Sequence, residues 1–445
     1  LASPEAALAA IRKLKQKGEI SWPVCVYFRQ GTYYLKQPIV FTPADSGAAG
    51  ERPARGAGQI DYPLIFTSYQ NEEVTLSGGR LITGWRETTV NGQKGWVAEL
   101  PEVKEGKWYF RQLWVNGQRR YRPGLPEEGE YQVDRVLDSD LTGGWATMRR
   151  GVKRFGYQGE QFQSNWRNLK DVEITFLILW VCIHTRVERV DEQEKVVYLD
   201  RSTGMRLTKD HSTEGAPYII ENVFEALNKP GQWYLDRSQG CLYYLPLPGE
   251  KLNECQVVAP YLDTLVRFDG QVEAEGLKVE NVIFRNLNFA HNEWPVPEDF
   301  AGSAQASMGV PAAIRLQAVR NCLFQNCQFS HLGTYGVGLE KDCHDIRLVR
   351  CRLSDLGAGG VRIWHGCCRN VVADCEIGDG GILYPSAVGV LVGNASGNQI
   401  IHNHIYNFFY TGISVGWTWG YQESHTYGNI IEYNHIHDLG HGRLS

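Results

Sequence analysis

Asn321-Cys-Leu-Phe-Gln-Asn-Cys-Gln-Phe329 returns as Asp345-Ile-Arg-Leu-Val-Arg-Cys-Arg-Leu353 and again as Asn370-Val-Val-Ala-Asp-Cys-Glu-Ile377. Asn281-Val-Ile-Phe-Arg-Asn-Leu-Asn-Phe289 precedes them. Asn398-Gln-Ile-Ile-His-Asn-His-Ile405 and Asn429-Ile-Ile-Glu-Tyr-Asn-His-Ile436 follow. Residues 281–439 therefore hold six copies of one rung. The anchors Phe329, Leu353 and Ile377 fall 24 residues apart, and the next gaps are 28 and 31. A period in the twenties marks a solenoid, whose repeats bury their apolar faces against their neighbours.

The apolar positions alternate in short β-rich runs, so the units are strands. An apolar residue stands five before each anchor: Phe284, Phe324, Leu348, Val372, Ile400 and Ile431. Two before it stand Leu287, Cys327, Cys351, Cys375, Asn403 and Asn434. One strand cannot point positions −5, −2 and 0 inward, because side chains alternate sides. A tight turn must lie between −5 and −2. Another strand recurs as Gly336-Val-Gly-Leu339, Gly360-Val-Arg-Ile363, Gly389-Val-Leu-Val392 and Gly412-Ile-Ser-Val415. Three short strands per turn make an all-β, right-handed parallel β-helix. Like side chains then stack about 4.8 Å apart, giving an Asn403/Asn434 amide ladder and a Cys327/Cys351/Cys375 thiol stack.

The chain has 445 residues and a net charge of −5, which points to neither a nucleic-acid partner nor a polybasic membrane contact. The most apolar run, Ile174 to Ile183, is shorter than the roughly 20 residues of a spanning helix and reads as a buried strand. Eleven cysteines without a CxxC pair read as free thiols rather than a metal or disulfide framework. No signal peptide is visible. The opening at Leu1 and the close partway through a rung lead us to expect a fragment of a longer protein, cut at both ends.

Ser3-Pro4-Glu5 starts a helix, with Ala7, Ile11 and Leu14 as its apolar stripe and Gly18 as its stop. A lone amphipathic helix before a β-helix reads as a cap over the core. Residues 1–84 hold this helix and the first rungs, with a Gly-, Ala- and Pro-rich loop at 42–61. Across 85–269 the period is lost. Asn91-Gly92, Asn116-Gly117 and Asp236–Gly240 sit between aromatic strands, the signature of hairpins in an inserted antiparallel β module. Gly143-Gly144-Trp145, Tyr157, Phe162 and Trp166 read as packing or as the rim of a groove. Residues 270–445 are the rungs, incomplete at the C-terminus.

Residues just after the Gly-Val/Ile strands fall in one column: Glu340, Lys341 and Asp342, then Trp364 and His365, then Asn394, then Trp417, Trp419 and Tyr421. Aromatic platforms beside carboxylates suit sugars, since ring faces stack on C–H faces and acids handle protons. Glu340, Asp342 and His365 are candidates for proton chemistry. Each also reads plainly, as turn acids beside Lys341 and as a corner histidine. His291 and Trp294 open an insertion ending at Met308, and loops extruded from one corner of a β-helix line up where sites are built. His291, Trp294, Trp417, Trp419 and Tyr421 are the candidate sugar contacts. Asp355, Asp379 and Asp438 each lie two residues past an anchor and read as turn residues. His437 and His441 lack a partner cluster, so neither a metal nor another cofactor is expected.

Gly31-Thr-Tyr-Tyr-Leu35, Leu76-Ser-Gly-Gly-Arg-Leu-Ile-Thr-Gly-Trp85, Gln112-Leu-Trp-Val-Asn-Gly-Gln118, Trp233-Tyr-Leu-Asp236, Trp417-Thr-Trp-Gly-Tyr421 and Asn434–Ser445 form an ordered set. That set resembles bacterial β-helix glycoside hydrolases, most nearly family 141 with its xylan- and fucose-directed members, and more distantly the family 120 β-xylosidases. The resemblance implies a secreted or periplasmic enzyme that hydrolyses glycosidic bonds of a polysaccharide or oligosaccharide with two carboxylates. It implies that the carboxylate pair falls beyond Ser445. It places Trp417, Trp419 and the turn His437–His441 beside the cleft, so His441 joins the in-chain candidates. A pair about 5 Å apart retains configuration, and one about 6.5–9.5 Å apart inverts it. Two rival readings remain. One is a polysaccharide lyase, for which Glu340, Lys341, Asp342 and Arg362 are the hint. The other is a non-catalytic glycan-binding solenoid.

Overall fold

The computed structural model describes residues 3–20, 23–47, 62–139, 141, 144–252, 254–272, 277–297, 300, 302–441 and 444. Three parallel sheets wrap one apolar core. The first contains Val24–Phe28, Leu64–Ser68, Val282–Arg285, Leu323–Gln325, Arg347–Val349, Val371–Ala373, Gln399–Ile401 and Ile430–Glu432. The second contains Gly31–Tyr34, Val74–Ser77, Asn288–Asn292, Gln328–Leu332, Arg352–Leu356, Glu376–Gly380, His404–Phe408 and His435–Leu439. The third runs through Ile39–Phe41, Val266–Asp269, Ala312–Arg320, Tyr335–His344, Val361–Trp364, Val388–Gly393 and Thr411–Gly416. This is a right-handed parallel β-helix with a helical cap and an inserted antiparallel module.

The turn demanded by the broken parity is present in every rung. The residue three before each anchor (Asn286, Asn326, Arg350, Asp374, His402, Tyr433) is left-handed, with φ between 52° and 57°. A second left-handed position follows two residues past each anchor, at His291, His331, Asp355, Asp379, Asn407 and Asp438, with φ between 50° and 62°. Asn, Asp and His are enriched in this conformation, which explains why these types recur at both corners.

Inside the coil, like stacks on like. Phe284 lies on Phe324 at 5.3 Å and 5°, and Phe289 on Phe329 at 5.1 Å and 9°. Cys327, Cys351 and Cys375 are buried free thiols. The ladder passes from sulfur to amide where the Cys375 N–H donates to Asn403 Oδ1 at 3.0 Å and Asn403 Nδ2 donates to Asn434 Oδ1 at 3.0 Å. A second amide ladder joins Asn370, Asn398 and Asn429. Asn281, Asn321 and Asp345 are not its earlier members: they occupy a left-handed corner one residue earlier in the rung. A buried amide must be hydrogen-bonded, and stacking meets that need rung by rung.

Helix Pro4–Lys17 starts where Ser3 Oγ accepts from the Ala6 N–H and stops at Gly18, whose φ is 69°. Leu8 and Ile11 enter the core cluster, whereas Leu14 is exposed. The buried stripe is thus Ala7, Leu8 and Ile11. Arg12 Nε and Nη2 clamp the Asp45 carboxylate at 2.7 and 2.8 Å, tying the cap to the first coil. Most of the 42–61 loop lies outside the described residues.

The chain leaves the solenoid at Gly79–Leu81, which pairs antiparallel with Val257–Pro260. Val266–Asp269 already pairs with Ile39–Phe41, so the coil resumes before residue 270. The three hairpin turns fall where their turn residues stand, with Asn91-Gly92 and Asn116-Gly117 left-handed at both positions. Ile174 to Ile183 is not one strand. Glu173–Ile178 and Val181–Asp191 form a hairpin through Leu179, which is left-handed with φ 50°. An apolar turn carries no Gly or Asn to announce it. Tyr157, Phe162 and Trp166 fill the module's own core, which is packing rather than a groove rim. Gly143 lies outside the described residues.

Candidate functional site

The module seats on the left-handed corner of the second sheet. Asp355 is its anchor. Arg119 Nε donates to Asp355 Oδ1 at 2.5 Å, Trp114 Nε1 donates to Oδ2 at 2.9 Å, and His331 Nδ1 lies 2.7 Å from Oδ2. Burial alone would raise the Asp355 carboxyl, but Arg119 and His331 hold it well below the usual carboxylate range. His291 continues the column, stacked on His331 at 5.4 Å and edge-on to Trp114 at 5.1 Å. It is 8% exposed, and its Nδ1 lies 2.9 Å from Ser77 Oγ. Burial pushes its pKa down to about 3. His291 is therefore a neutral packing residue under the module, and the expected sugar contact is corrected.

Trp294 lines a pocket of about 110 Å³ between module and solenoid, with Tyr109, Arg111, Glu173, His184 and Glu293. Its arginines and acids are paired with one another, whereas the buried His184 Nε2 has no hydrogen-bond partner. Arg111 Nε donates to Glu293 Oε1 at 2.9 Å and Nη2 to Tyr384 Oη at 2.8 Å. Arg122 Nη2 donates to Glu173 Oε2 at 2.7 Å and Tyr109 Oη to Oε1 at 3.0 Å. Burial would raise Glu173, yet Arg122 and Arg111 hold it far below its ordinary value. A carboxylate so clamped cannot carry a proton at neutral pH, so Glu173 is no general acid. Trp294, one of the lining residues, packs edge-on to Phe300 at 5.0 Å.

From Trp294 the insertion crosses to the outer face of the third sheet. Its strand Gly302–Ser303 pairs with Ile183 and Cys182 of the module. The Ala306 carbonyl accepts from Tyr335 Oη at 2.5 Å. Arg362 Nη1 donates to the carbonyls of Met308 and Val310 at 2.6 and 2.7 Å, and its Nη2 reaches both oxygens of Glu340 at 2.7 and 2.6 Å. Glu340 is thus a buttress for Arg362, which pins the loop. Asp342 is left-handed, with φ 54°. It ion-pairs with Lys278, and His344 Nε2 lies 2.6 Å from its Oδ1. Neither acid stands free for proton chemistry, which corrects both expectations.

Beyond that loop lies an aromatic ridge. Trp364 and Trp417 are 5.8 Å apart, and Trp417 and Trp419 6.4 Å. Trp364 lies flat on the neighbouring strand because Gly393 is there: a Cβ at 393 would meet the indole at 1.9 Å. That Trp–Gly pairing across one register step was the unread signal for Trp364 as part of the ridge. Trp419 is 72% exposed and Tyr421 fully so. His365 packs edge-on to Trp364 at 5.1 Å, its pKa lowered by partial burial and by Lys341. His441 is exposed in the turn after the last strand. The structure thus gathers Trp364, His365, Trp417 and Trp419 and leaves His291 and Asp342 elsewhere.

Residues 93–247 match the family model of the GH141 insertion domain. The chain resembles the glycoside hydrolases of family 141. Residues 269–382 and 312–443 match the right-handed β-helix region. A solved structure described as a glycoside hydrolase superposes with a TM-score of 0.80 at 22% identity, covering 99% of this chain and 80% of that one. The complex of XylC with xylose follows at a TM-score of 0.49 and 10% identity, covering 98% and 59%. No curated protein matches the chain. The GH141-type module is the part that carries Trp114 and Arg119, so the match falls on the element anchored to Asp355. No helix among the described residues is long and apolar enough to cross a membrane.

Proposed function

We propose that this chain forms the scaffold and one wall of a glycan-cleaving site in a secreted or periplasmic enzyme. The reaction is hydrolysis of O-glycosidic bonds in polysaccharide or oligosaccharide, with xylan- or fucose-containing glycans as the favoured substrates. The observation that carries this reading is the GH141 insertion domain match at 93–247, on a β-helix that presents indoles just past the third-sheet strand Thr411–Gly416. Trp417 and Trp419 offer faces on which pyranose rings can stack, with Trp364 behind them.

The chemistry needs one carboxylic acid to protonate the leaving oxygen and one carboxylate to attack or to activate water. The acid must hold its proton near neutral pH, which requires an upward shift. The carboxyls with shifted pKa values, among them Asp45, Glu173, Asp236 and Asp355, are shifted downward by arginines and hydrogen bonds. We therefore assign the role of the acid to none of these four residues. The lyase alternative loses its hint, because Glu340 and Arg362 close on each other. Reducing ends released from arabinoxylan or fucosylated glycan by the protein support the hydrolase. Unsaturated products absorbing in the ultraviolet would show a lyase, and binding without cleavage a glycan-binding solenoid.

A further inference from the structure

On the outer face of the second sheet, three imidazoles of the last two rungs meet. His404 stands at the start of His404–Phe408, and His435 and His437 alternate along His435–Leu439. The strands pair with His404 opposite His435 and Tyr406 opposite His437. Residues two apart on a strand share a face, so all three side chains project outward from one patch. Their ring centroids lie 4.6 to 5.2 Å apart. His404 Nε2 and His437 Nε2 are 2.7 Å apart, and one ligand nitrogen from each of the three falls within 4.8 Å of the others.

Stacking of like on like accounts for His404 over His435, as it does for the Phe and Asn ladders. It does not account for His437, whose register partner is Tyr406 and whose Nε2 turns across to His404. Asp438 Oδ2 lies 2.7 Å from His437 Nδ1. A carboxylate on the far nitrogen fixes the tautomer and leaves the Nε2 lone pair facing the cluster, the arrangement that orients metal-binding histidines. Tyr406 flanks the patch, its ring parallel to His437 within 10° and its hydroxyl on Glu376 Oε1 at 2.7 Å. Gly378 leaves room for that ring.

We propose that His404, His435 and His437 form a site for one divalent transition-metal ion of the zinc class, with water completing the coordination. Imidazole nitrogen suits this class rather than Mg²⁺ or Ca²⁺. Zn–N bonds of about 2.0–2.1 Å in a tetrahedron set nitrogens about 3.3 Å apart. That spacing lies between the closest pair here and the widest allowed by the cluster, so rotations of surface side chains close the site. The bound ion would clip the last two rungs together. This inference goes beyond the hydrolase reading and does not depend on it.

The test is titration of chelator-stripped protein with Zn²⁺ by calorimetry and with Co²⁺ by visible absorption. One equivalent should bind per chain, with a four- or five-coordinate Co²⁺ spectrum lacking thiolate charge transfer. His404→Ala and His437→Ala should each weaken binding at least tenfold, while His402→Ala, in the preceding turn, should leave it unchanged. Zn²⁺ should raise Tm in the parent protein and not in H404A/H437A, whose fold is checked by circular dichroism. Absence of Zn²⁺ uptake at micromolar concentration would overturn the proposal. So would undiminished uptake by the H404A/H435A/H437A variant, which would place the ion on thiols.

Discussion

Arg119 and Asp355 stand 236 positions apart in the chain and 2.5 Å apart at Nε and Oδ1. This pair fastens the inserted module to the solenoid. The Arg119 side chain is 6% exposed and also reaches the carbonyls of Leu332 and Asp355. Arg119→Ala leaves the part-buried Asp355 carboxylate without its guanidinium partner, although Trp114 and His331 remain, so the cost should fall below the roughly 3–5 kcal/mol of a fully buried pair. Arg119→Lys restores the charge but not the planar fork that makes several bonds at once. We expect both variants to loosen the module, with increased hydrogen exchange at Leu113–Val115 while the coil at 323–405 stays protected.

His291 sets a pH dependence of known sign. The unfolded chain binds its proton near pH ~6.5, whereas the folded chain does so only at about pH 3. The unfolded state therefore holds more protons between these values, so stability is full above pH ~6.5 and falls as the pH drops. The slope is about 1.4 kcal/mol per pH unit. Denaturant midpoints for His291→Gln should lose this slope. Asp355 and Glu173, whose folded values are depressed, keep a separate acid limb below pH ~4 in both proteins.

Gly393→Ala tests the seat of Trp364. The added methyl overlaps the indole, and overpacking of this kind costs about 1–3 kcal/mol. The ring must lift off the strand, so tryptophan fluorescence should shift and glycan affinity should change. Gly397→Ala, at a left-handed corner with no heavy atom nearer than 3.9 Å, should lose stability without moving the indole signal.

Trp419→Ala tests the ridge as a sugar platform. The side chain is mostly solvent-exposed, so Tm should move little. Affinity for the substrate glycan should fall about tenfold, a loss of ~1.4 kcal/mol. Trp417 is half-buried against Trp364, and Trp417→Ala should lower both affinity and Tm.

The coil was legible because each rung repeats its neighbours' chemistry. Phe284 over Phe324 and Asn403 over Asn434 are visible as spacings alone, and the turn between −5 and −2 follows from side-chain alternation. The site was less legible because its ties join residues that no period relates. Glu340 reads as a free acid until Arg362 folds beside it from the next rung. His291 reads as a groove residue until Trp114 arrives from the module to cover it. His404 was hidden as a rung-filling residue, although Asn403-His-Ile405 followed by Asn434-His-Ile-His437 already put three histidines on one sheet face. Ile174 to Ile183 failed for a local reason: its turn is made of Leu179 and Trp180, residues with no turn chemistry.

The central claim is that the ridge and the GH141-type module belong to a glycan hydrolase. Its most direct test is proton NMR of the products released from arabinoxylan and fucosylated oligosaccharides by the protein. The account predicts new reducing-end anomeric signals, lost with W417A/W419A at substrate concentrations below KM and regained at higher ones. Vinylic signals of an unsaturated sugar, or glycan binding with no new anomeric signal on either substrate, would contradict it.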